Sequence, residues 1–354
     1  MTLLVTGGAG FIGANYIRHI LSISDEKIIN LDKLTYAGNL MSLEEYLDDN
    51  RLKIIQGDVG DKVLIESILR KHSPCSIINF AAETHVDRSI HSPEDFIQTN
   101  IVGTFHLIDT AKNWWLTLPQ DKKENFRFLQ ISTDEVYGSL EPNCSPFSED
   151  NKYKPNSPYS ASKAAADHLV RAYHRTYGFP VITTNCSNNY GPYQFPEKLI
   201  PLMISRALNG ETLPLYGDGQ NVRDWLYVTD HCQALQKVLE RGQIGQTYNI
   251  GGNSEKKNID VVYILCDFLD KIVPKKDKTS YRTQIAYVPD RAGHDRHYAI
   301  NSDKIFHELG WAPIETFSTG IEKTIKWYLQ NIEWVKNTTS GEYLHWTKEH
   351  YSQR

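Results

Sequence analysis

Apolar and polar positions follow two alternating patterns along the first half of the chain. Short apolar runs, each ending in small or acidic residues, occur in the order LLVT, KIINLD, KIIQGD and SIINFAA. Between them lie segments with apolar residues at helical spacing, at 11–22 and 61–72. Strands that alternate with helices in this way predict a parallel sheet covered by helices on both faces.

The same alternation continues beyond the first four strands. We predict helices over 94–116 and 159–177, and strands over 126–132 and 180–185. The expected fold class is therefore α/β, with a doubly wound parallel sheet of the Rossmann type.

The pattern changes after residue 190. Residues 191–222 are rich in Pro, Gly and Tyr around one helix near 197–209, whereas 224–251 return to strand–helix–strand. Further helices are expected near 258–272, 302–309 and 319–331. We predict a dinucleotide-binding domain of 1–190 and 222–252, a smaller, mostly C-terminal α/β substrate-binding domain of 191–221 and 253–331, and a C-terminal tail of 332–354.

Charge and composition exclude several classes of protein. The 354 residues carry a net charge of -5, so no basic surface is expected for nucleic acid or an anionic membrane. No run approaches the roughly 20 apolar residues that span a bilayer, and the start, MTLLVTGGAGFIG, lacks the charged region of a signal peptide. The five cysteines show no paired spacing, which predicts neither a disulfide framework nor a metal site. We expect a cytoplasmic protein.

The first strand is followed by a glycine motif, VTGGAGFIG, that leads directly into a helix. Gly7, Gly10 and Gly13 allow a tight turn and close approach of a pyrophosphate, whose charge would meet the unpaired N–H groups of the helix. Asp32 ends the second strand, at the place where a carboxylate accepts hydrogen bonds from an adenosine ribose and repels a 2′-phosphate. The motif predicts NAD, although Lys33 leaves NADP possible.

Two later strand ends extend this predicted cofactor site. Asp58, after the third strand, would meet the adenine amino group, or it would instead cap the helix that begins near Asp61. Ala81 and Ala82 follow the fourth strand, where small side chains let a cofactor lie against the backbone.

A tyrosine and a lysine lie one turn apart on the predicted helix over 159–177. Ser157 and Pro158 are typical of its start and Gly178 of its end. Tyr159 and Lys163 share one helix face. An ammonium beside a phenol lowers its pKa, and so we expect Tyr159 to act as a base near neutral pH, supported by Lys163.

The strand over 126–132 ends in STDEVYG, which places Thr133, Asp134 and Glu135 together. Burial makes their charges costly, and mutual repulsion separates the two carboxyl pKa values, so that one acid is protonated while the other is ionised. Such a pair provides a general acid and a general base. The alternative is that both are loop acids or helix caps without a chemical role.

Many segments of the chain resemble one family of enzymes. From residue 2 to about 330 the chain is similar to the dTDP-glucose 4,6-dehydratases, a family of extended short-chain dehydrogenases/reductases. TDE is the most discriminating motif, whereas DRAGHD departs from the pattern with Ala292 where proline is expected. The resemblance rests on GGAGFIG, LDKLTYAGNL, AAETHVDRSI, TNIVGT, STDEVYG, SPYSASKAAADHLVRAY, NCSNNYGPYQFPEKLIP, YGDGQNVRDWLYV, YNIGG and DRAGHDRHYAI.

The resemblance implies a lyase that uses tightly bound NAD as a recycled reagent on dTDP-glucose. Tyr159 would take the proton of the sugar 4-hydroxyl, which Thr133 orients, while the hydride leaves carbon 4. Glu135 would then remove the proton at carbon 5, and Asp134 would protonate the departing 6-hydroxyl. Hydride return to carbon 6 would give dTDP-4-keto-6-deoxyglucose without net redox change. The family also implies a homodimer formed through the helices at 94–116 and 159–177.

The resemblance further assigns binding positions. Those expected to contact the cofactor are Gly7, Gly10, Phe11, Ile12, Gly13, Asp32, Lys33, Leu34, Thr35, Asp58, Val59, Ala81, Ala82, Thr99, Tyr159, Lys163 and Asn189. Those expected to contact the nucleotide sugar are Thr84, Thr133, Asn188, Lys198, Leu199, Pro214, Tyr216, Arg223, Asn258, Arg291 and His294.

Three other functions share parts of this pattern. A nucleotide-sugar 4-epimerase would use Thr133, Tyr159 and Lys163 but has no use for a pair of acids at carbons 5 and 6. A 4,6-dehydratase acting on another nucleotide sugar would need the same residues. A catalytically silent NAD-sensing or scaffold protein would need only the glycine motif.

Overall fold

The computed structural model describes residues 1–339, whose main hydrophobic clusters lie on the two faces of a large sheet and in a smaller part of the molecule. Its strands consist mostly of consecutive buried residues, as expected where both faces of a sheet are covered. They are β1 (Thr2–Thr6), β2 (Lys27–Asp32), β3 (Leu52–Gln56), β4 (Ser76–Asn79), β5 (Arg127–Thr133), β6 (Val181–Cys186), β7 (Asn188–Tyr190), β8 (Leu213–Tyr216), β9 (Val222–Tyr227), β10 (Thr247–Ile250), β11 (Glu255–Lys257) and β12 (Ile285–Val288).

The helices lie between these strands in the predicted alternation. They are α1 (Phe11–Ile23), α2 (Lys62–His72), α3 (Val86–His91), α4 (Pro93–Phe96), α5 (Thr104–Leu116), α6 (Gln120–Asn125), α7 (Pro158–Tyr177), α8 (Leu199–Leu208), α9 (Val228–Arg241), α10 (Asn258–Ile272), α11 (Asp303–Leu309), α12 (Phe317–Gln330) and α13 (Ile332–Thr338). A π-helix (Ile97–Gly103) joins α4 to α5, and 3₁₀ turns lie at Leu40–Tyr46, Asp134–Tyr137 and Tyr281–Gln284.

The main sheet confirms the predicted fold class. Seven parallel strands are arranged in the order β10-β6-β5-β4-β1-β2-β3. One face is covered by α1 and α9, and the other by α2, α5 and α7. The strand order reverses between β1 and β4, and ligands of such sheets bind at the carboxyl ends of the strands on either side of that point.

A separate hydrophobic core, the smaller core, lies in the smaller part of the molecule, around α8, α10 and α12. A three-stranded sheet, β11-β9-β7, and a two-stranded sheet, β12-β8, accompany it. The sequence pattern assigns the segment 222–227 to the dinucleotide-binding domain. In the structure this segment is β9, which pairs with β7 and β11 of the three-stranded sheet rather than with β10 of the main sheet. The helix that follows it, α9, does pack on the main sheet.

The helix predicted over 94–116 is interrupted by the π-helix. The Asn100 side chain accepts a hydrogen bond from the Glu83 N–H at 2.8 Å and donates to the Glu83 carbonyl at 3.0 Å. It also donates to the Ser162 hydroxyl at 2.8 Å. These contacts bind the π-helix to α7 and to the end of β4, and a periodic apolar pattern does not reveal them. π-Helical turns are frequent at functional sites.

The predicted tail begins with a packed helix. Trp334 of α13 is only 5% exposed; its ring contacts Tyr193 and Trp327, and its Nε1 donates to the Ser42 hydroxyl at 3.1 Å. The remainder of the predicted tail lies outside the described residues. Within residues 1–339, no helix combines the length and the hydrophobicity that crossing a membrane requires.

Replacing Trp334 with alanine should destabilise the protein although the residue is 20 positions from the C-terminus. Loss of a buried indole leaves a cavity and typically costs about 3–5 kcal/mol. Denaturant unfolding followed by tryptophan fluorescence and circular dichroism would measure the change. Ile332→Ala on the same helix is the matched control, because Ile332 is 52% exposed and should change stability little. Equal midpoints for the two variants would contradict the packing role of α13.

Candidate active site

A cavity of about 290 Å³ lies at the carboxyl ends of the parallel strands. Its lining includes all five residues predicted to be catalytic: Thr133, Asp134, Glu135, Tyr159 and Lys163. It also includes every predicted cofactor position except Leu34. Strands β1 to β6 and helix α7 therefore bring residues that are far apart in sequence to one place.

The glycine loop at the end of β1 has the shape that a pyrophosphate requires. Gly7 has a φ of 69°, in the region that favours glycine, and its N–H donates to the Leu31 carbonyl at 2.9 Å. A Cβ on Gly13 would lie 2.4 Å from the Gly7 carbonyl oxygen, so a side chain there would push the loop away from α1. The loop thus leaves the N-terminal N–H groups of α1 open to the cavity, where an anion is stabilised.

The acidic groups next to this loop have partners of their own. The Asp32 carboxylate accepts hydrogen bonds from the Ala9 N–H and the Leu34 N–H, each at 2.8 Å. Asp32 thereby holds the glycine loop and the following loop together, and each oxygen keeps a second lone pair for a ribose hydroxyl. Leu34 contributes to this arrangement through its backbone and lies outside the cavity lining.

Asp58 lines the cavity and does not cap a helix. The N-cap of α2 is Asp61, whose Oδ1 accepts from Val63 and Leu64, so the capping alternative for Asp58 is wrong. Lys33 Nζ lies 2.8 Å from Asp58 Oδ2. Burial raises the pKa of Asp58, but Lys33 and the Gly60 N–H outweigh it and hold that pKa below its usual range. Lys33 is therefore engaged with a carboxylate in this structure.

A 3₁₀ turn explains how adjacent residues at the end of β5 can serve one cavity. Thr133 is the N-cap of the turn, and its Oγ1 accepts from the Glu135 N–H at 3.3 Å. The turn ends the strand's alternation, so Asp134 and Glu135 both line the cavity. The cap is Thr133, which leaves neither acid with a capping role here.

The two carboxyl groups differ in their electrostatic environments. Burial, reinforced by Glu135 and Asp224, raises the pKa of Asp134 well above its ordinary value. Burial also raises the pKa of Glu135, but Arg291, Arg223 and Lys198 oppose this shift. The arrangement favours a protonated Asp134 and retains more negative charge on Glu135.

Tyr159 does not have the lowered pKa expected from the sequence. Burial, with Glu135, Cys186 and Asp134 beside it, raises the pKa of Tyr159 well above 10, and only the Thr133 hydroxyl opposes the shift. Desolvation of the phenolate is the largest cause of this rise. Lys163 donates a hydrogen bond to the Ile131 carbonyl at 2.7 Å, which occupies one of its three N–H groups.

Helix α7 presents this pair in the way that its sequence predicts. Ser157 and Ser160 form a capping box, Pro158 occupies the first turn, and Gly178 ends the helix with a φ of 65°. These caps fix where the helix begins, so the first turn places Tyr159 against Phe96 and the second places Lys163 below the end of β5.

The predicted substrate residues fall into two groups. Thr84, Thr133, Asn188 and Lys198 line the cavity, and Lys198 Nζ donates to the Thr84 carbonyl at 2.8 Å. The others do not belong to its lining: Leu199, Pro214, Tyr216, Arg223, Asn258, Arg291 and His294. Arg223 and Arg291 nevertheless act electrostatically on Glu135.

Asp87 of α3 binds two of the residues outside the lining, Tyr216 and Arg291. Its Oδ2 accepts from the Tyr216 hydroxyl at 3.1 Å, and its Oδ1 accepts from Arg291 at 3.3 Å. His294 lies close by, with its ring edge-on to Tyr216 and its Nδ1 2.6 Å from Asp290 Oδ1. Within residues 1–339, no group of His, Cys, Asp and Glu side chains is arranged to hold a metal ion.

The sequence reasoning missed three acids at or behind the cavity. Glu83 and Glu197 line it, and Asp167 lies behind Lys163. Asp167 could have been found from its spacing, because Tyr159, Lys163 and Asp167 follow one another at intervals of four along one helix face. Glu83 and Glu197 carry no such signal.

Comparison with known proteins gives a consistent result. The model of the GDP-mannose 4,6 dehydratase family matches residues 4–324. The chain is 55% identical over 362 residues to a dTDP-glucose 4,6-dehydratase from Salmonella typhimurium, and the match covers 100% of both chains.

Two solved structures of dTDP-glucose 4,6-dehydratases are also similar. One, from Bacillus anthracis in complex with NAD, is 46% identical, has a TM-score of 0.84 and covers 96% of this chain and 99% of its own. The other, from Streptomyces venezuelae with NAD and dTDP bound, is 42% identical, has a TM-score of 0.87 and covers 96% of this chain and 100% of its own.

Infrared difference spectra should detect a protonated Asp134 at neutral pH. The raised pKa of Asp134 predicts that wild type minus Asp134→Asn shows the carbonyl absorption of a carboxylic acid. Glu135 raises this pKa, so in the Glu135→Gln background the Asp134 band should disappear at lower pH than in the wild type.

Asp61→Asn provides the control for this measurement, because Asp61 is an exposed helix cap. This substitution should leave the Asp134 acid band unchanged. Carboxylate bands instead of an acid band in the Asp134→Asn difference spectrum at neutral pH would contradict the assignment.

Proposed function

Because the chain belongs to the GDP-mannose 4,6 dehydratase family, and to the dTDP-glucose 4,6-dehydratases within it, we propose that it converts dTDP-glucose to dTDP-4-keto-6-deoxyglucose. The observation that carries the proposal is the pair Asp134 and Glu135, which lie in unequal electrostatic environments beside Tyr159 in the cavity of the glycine loop. The overall reaction removes one water molecule and is a hydro-lyase reaction.

The residues of the cavity fit NAD. The glycine loop cannot accept a Cβ at Gly13 without shifting, Asp32 stands at the ribose position, and Lys33 is paired with Asp58 rather than left for a 2′-phosphate. Bound NAD⁺ supplies the hydride acceptor for oxidation at carbon 4 and, once reduced, the donor that returns the hydride to carbon 6.

Oxidation at carbon 4 requires removal of the hydroxyl proton. In the proposed mechanism Thr133 hydrogen-bonds the sugar 4-hydroxyl, and the Tyr159 phenolate takes its proton. The positive charge that favours the phenolate comes from Lys163 on the same helix face. Lys163 also has two N–H groups available for the hydroxyls of a nicotinamide ribose.

Elimination across carbons 5 and 6 requires a base and an acid. The ketone at carbon 4 acidifies the proton on carbon 5, which Glu135 removes; Arg223, Arg291 and Lys198 favour its ionised form. Asp134, whose pKa is raised well above the ordinary value, holds the proton that the departing 6-hydroxyl needs in order to leave as water.

The nucleotide part of the substrate would lie toward the smaller core. Lys198 lines the cavity and Arg291 is paired with Asp87. A diphosphate suits both cations, the guanidinium in a bidentate contact. Tyr216 and Pro214 of β8 would face the thymine. The division into two domains, with the sugar nucleotide held mainly by the smaller one, belongs to this proposal, as does a cytoplasmic location.

An epimerase remains the natural second candidate from the same fold. Such an enzyme returns the hydride to carbon 4 and needs neither an acid nor a base at carbons 5 and 6. The buried, protonation-biased Asp134 would then carry a desolvation cost without a chemical use, since the turn at Asp134–Tyr137 is capped by Thr133 rather than by Asp134. The acid pair therefore favours dehydration.

A homodimer through the helices at 94–116 and 159–177 is also part of the proposal. Five apolar residues of these helices are buried against the main sheet: Leu107, Ile108, Trp114, Val170 and Tyr173. Ile97 and Phe105, 48% and 36% exposed, lie on the helical segment at 94–116 and remain for a partner.

Labelled substrate distinguishes the two reactions. With dTDP-glucose carrying deuterium at carbon 4, in ordinary water, the proposed mechanism places that deuterium in the carbon 6 methyl group. In deuterated water with unlabelled substrate, carbon 5 acquires deuterium. NMR analysis of the product detects both. Recovery of dTDP-galactose with deuterium still at carbon 4 would contradict dehydration and show that the enzyme is an epimerase. Incubation with competing nucleotide sugars would test the preference for dTDP.

The Glu135→Gln variant sharpens the same experiment. Loss of a general base should lower turnover by about 10²–10⁴-fold and abolish deuterium entry at carbon 5. The control is Glu141→Gln, an exposed acid beyond the turn, which should behave as the wild type.

Charge on the proposed dimer surface should separate the subunits. The double variant Ile97→Glu, Phe105→Glu places two carboxylates in an apolar contact and should halve the mass measured by sedimentation equilibrium. Ile332→Glu, equally exposed but on α13, is the control and should leave the mass unchanged. An unchanged mass in the double variant would exclude this surface as the interface.

A further inference from the structure

The proposed base and its supporting lysine are both strongly desolvated. Burial raises the pKa of Tyr159 and lowers that of Lys163, so each group is biased towards its neutral form. A neutral lysine would not stabilise a phenolate. An opposite charge placed near Lys163 would favour its ammonium form.

Asp167 occupies the position for such a group. It lies one turn beyond Lys163 on α7 and is 3% exposed. Its Oδ2 accepts a hydrogen bond from the Ser132 hydroxyl at 2.5 Å, and the Tyr153 phenol lies against the same carboxyl group. Asp167 is not part of the cavity lining, so neither substrate nor cofactor is expected to touch it.

The charges that face Lys163 come from few elements. Burial lowers its pKa, and Asp167 on α7 and Cys186 on β6 are the groups that raise it. Burial raises the pKa of the Cys186 thiol to about 12, so this group is uncharged near neutral pH. Among the described residues that act on Lys163, Asp167 is thus the available negative charge.

The groups that face Asp167 come from three elements. Lys163 lies on its own helix, Ser132 belongs to β5, and Tyr153 belongs to the segment before α7. Burial raises the pKa of Asp167 to about 7, against these three favourable contacts. Asp167 is therefore ionised mainly above neutral pH.

We propose that Asp167 is a positioning residue that acts as the counter-ion of Lys163 and so maintains the charged form of the Tyr159–Lys163 pair. The three side chains form a line along one face of α7, with the substrate end at Tyr159 and the charge-balancing end at Asp167. This inference rests on the proposed function of the site.

A hydrogen-bond network holds the buried end of this line. Asn185 Nδ2 donates to the Tyr153 hydroxyl and to the Tyr137 hydroxyl, each at 3.0 Å. Tyr137 in turn donates to Asn249 Oδ1 at 2.9 Å. These contacts orient Tyr153 toward Asp167 and fill the space where water would otherwise reach the carboxylate. Asp167 consequently acts on Lys163 through protein of low dielectric, where a charge has a long reach.

The test isolates the first half of the reaction. dTDP-6-deoxyglucose has no leaving group at carbon 6, so turnover stops after oxidation. The carbon 4 hydride passes to NAD⁺, the hydroxyl proton passes to Tyr159, and the carbonyl bond forms. The absorbance of the reduced nicotinamide reports the rate, which is measured against pH for the NAD-loaded wild type, Asp167→Asn and Asp167→Glu.

The variants should differ only on the alkaline side. Below neutral pH the wild-type carboxyl is protonated and resembles Asn, so the rates should converge. Above neutral pH, Asp167→Asn should lose the active form, in which Lys163 is charged, at a pH about one unit lower than the wild type does. On the alkaline limb this corresponds to roughly a tenfold lower rate. Asp167→Glu retains the charge and should restore the wild-type limb. Coincident profiles for wild type and Asp167→Asn would overturn the proposal.

A second readout does not depend on activity. The ¹³Cε resonance of Lys163, assigned by its loss in Lys163→Met, titrates as the ammonium loses its proton. It should do so at lower pH in Asp167→Asn than in the wild type; equal midpoints would overturn the proposal. If the wild type failed to oxidise the sugar, the proposed function would fail while this titration still decided the role of Asp167.

A matched control separates charge from folding. Asp230 is a buried carboxylate on α9 that accepts from the N–H groups of Ile314 and Glu315, away from the cavity. Asp230→Asn should lower the thermal midpoint but leave the pH profile and the Lys163 titration unchanged. A profile shifted as in Asp167→Asn would show that loss of stability alone moves the alkaline limb, and would overturn the specific role of Asp167.

Discussion

The exclusion of solvent from the carboxyl end of β5 is the constraint on which the rest of this site depends. Asp134, Glu135 and Tyr159 are all biased towards their neutral forms by burial. A charge persists there only where an opposite charge has been placed beside it. The chemistry is therefore decided by where the cations lie. Arg223 from β9 and Arg291 from the loop after β12 act on Glu135, so its ionised form depends on the smaller core being correctly packed against the main sheet.

Much of this arrangement follows from local sequence rules. The parallel sheet is evident because its strands are continuous apolar runs, and α7 begins and ends where Ser157, Pro158 and Gly178 predict. The glycine motif and the strand-end positions identify the cofactor side because the carboxyl ends of parallel strands always meet along one edge. Almost every residue expected there lines the cavity.

The remaining features depend on contacts between distant segments. Asn100 of the π-helix is hydrogen-bonded to the backbone of Glu83, a contact that no sequence periodicity can show. Strand β9 has an apolar pattern suited to either sheet, and its pairing with β7 and β11 is decided by the fold as a whole. The sequence shows the lysine near Tyr159 and therefore predicts a lowered pKa for the phenol. The sequence does not show the extent of burial or the carboxylates that the fold brings to the phenol.

The contact between Trp334 and Ser42 joins residues 292 positions apart. On the N-terminal side, the N–H of Asn39 donates to the carbonyl of Ala9 in the glycine loop, and its side chain bonds Asn337 of α13. The loop that closes the adenosine end of the cavity is thus braced by the last described helix. During synthesis the main sheet can form early, but this brace exists only when nearly the whole chain has left the ribosome. The contacts that brace this loop are consequently among the last to form as the protein is synthesised.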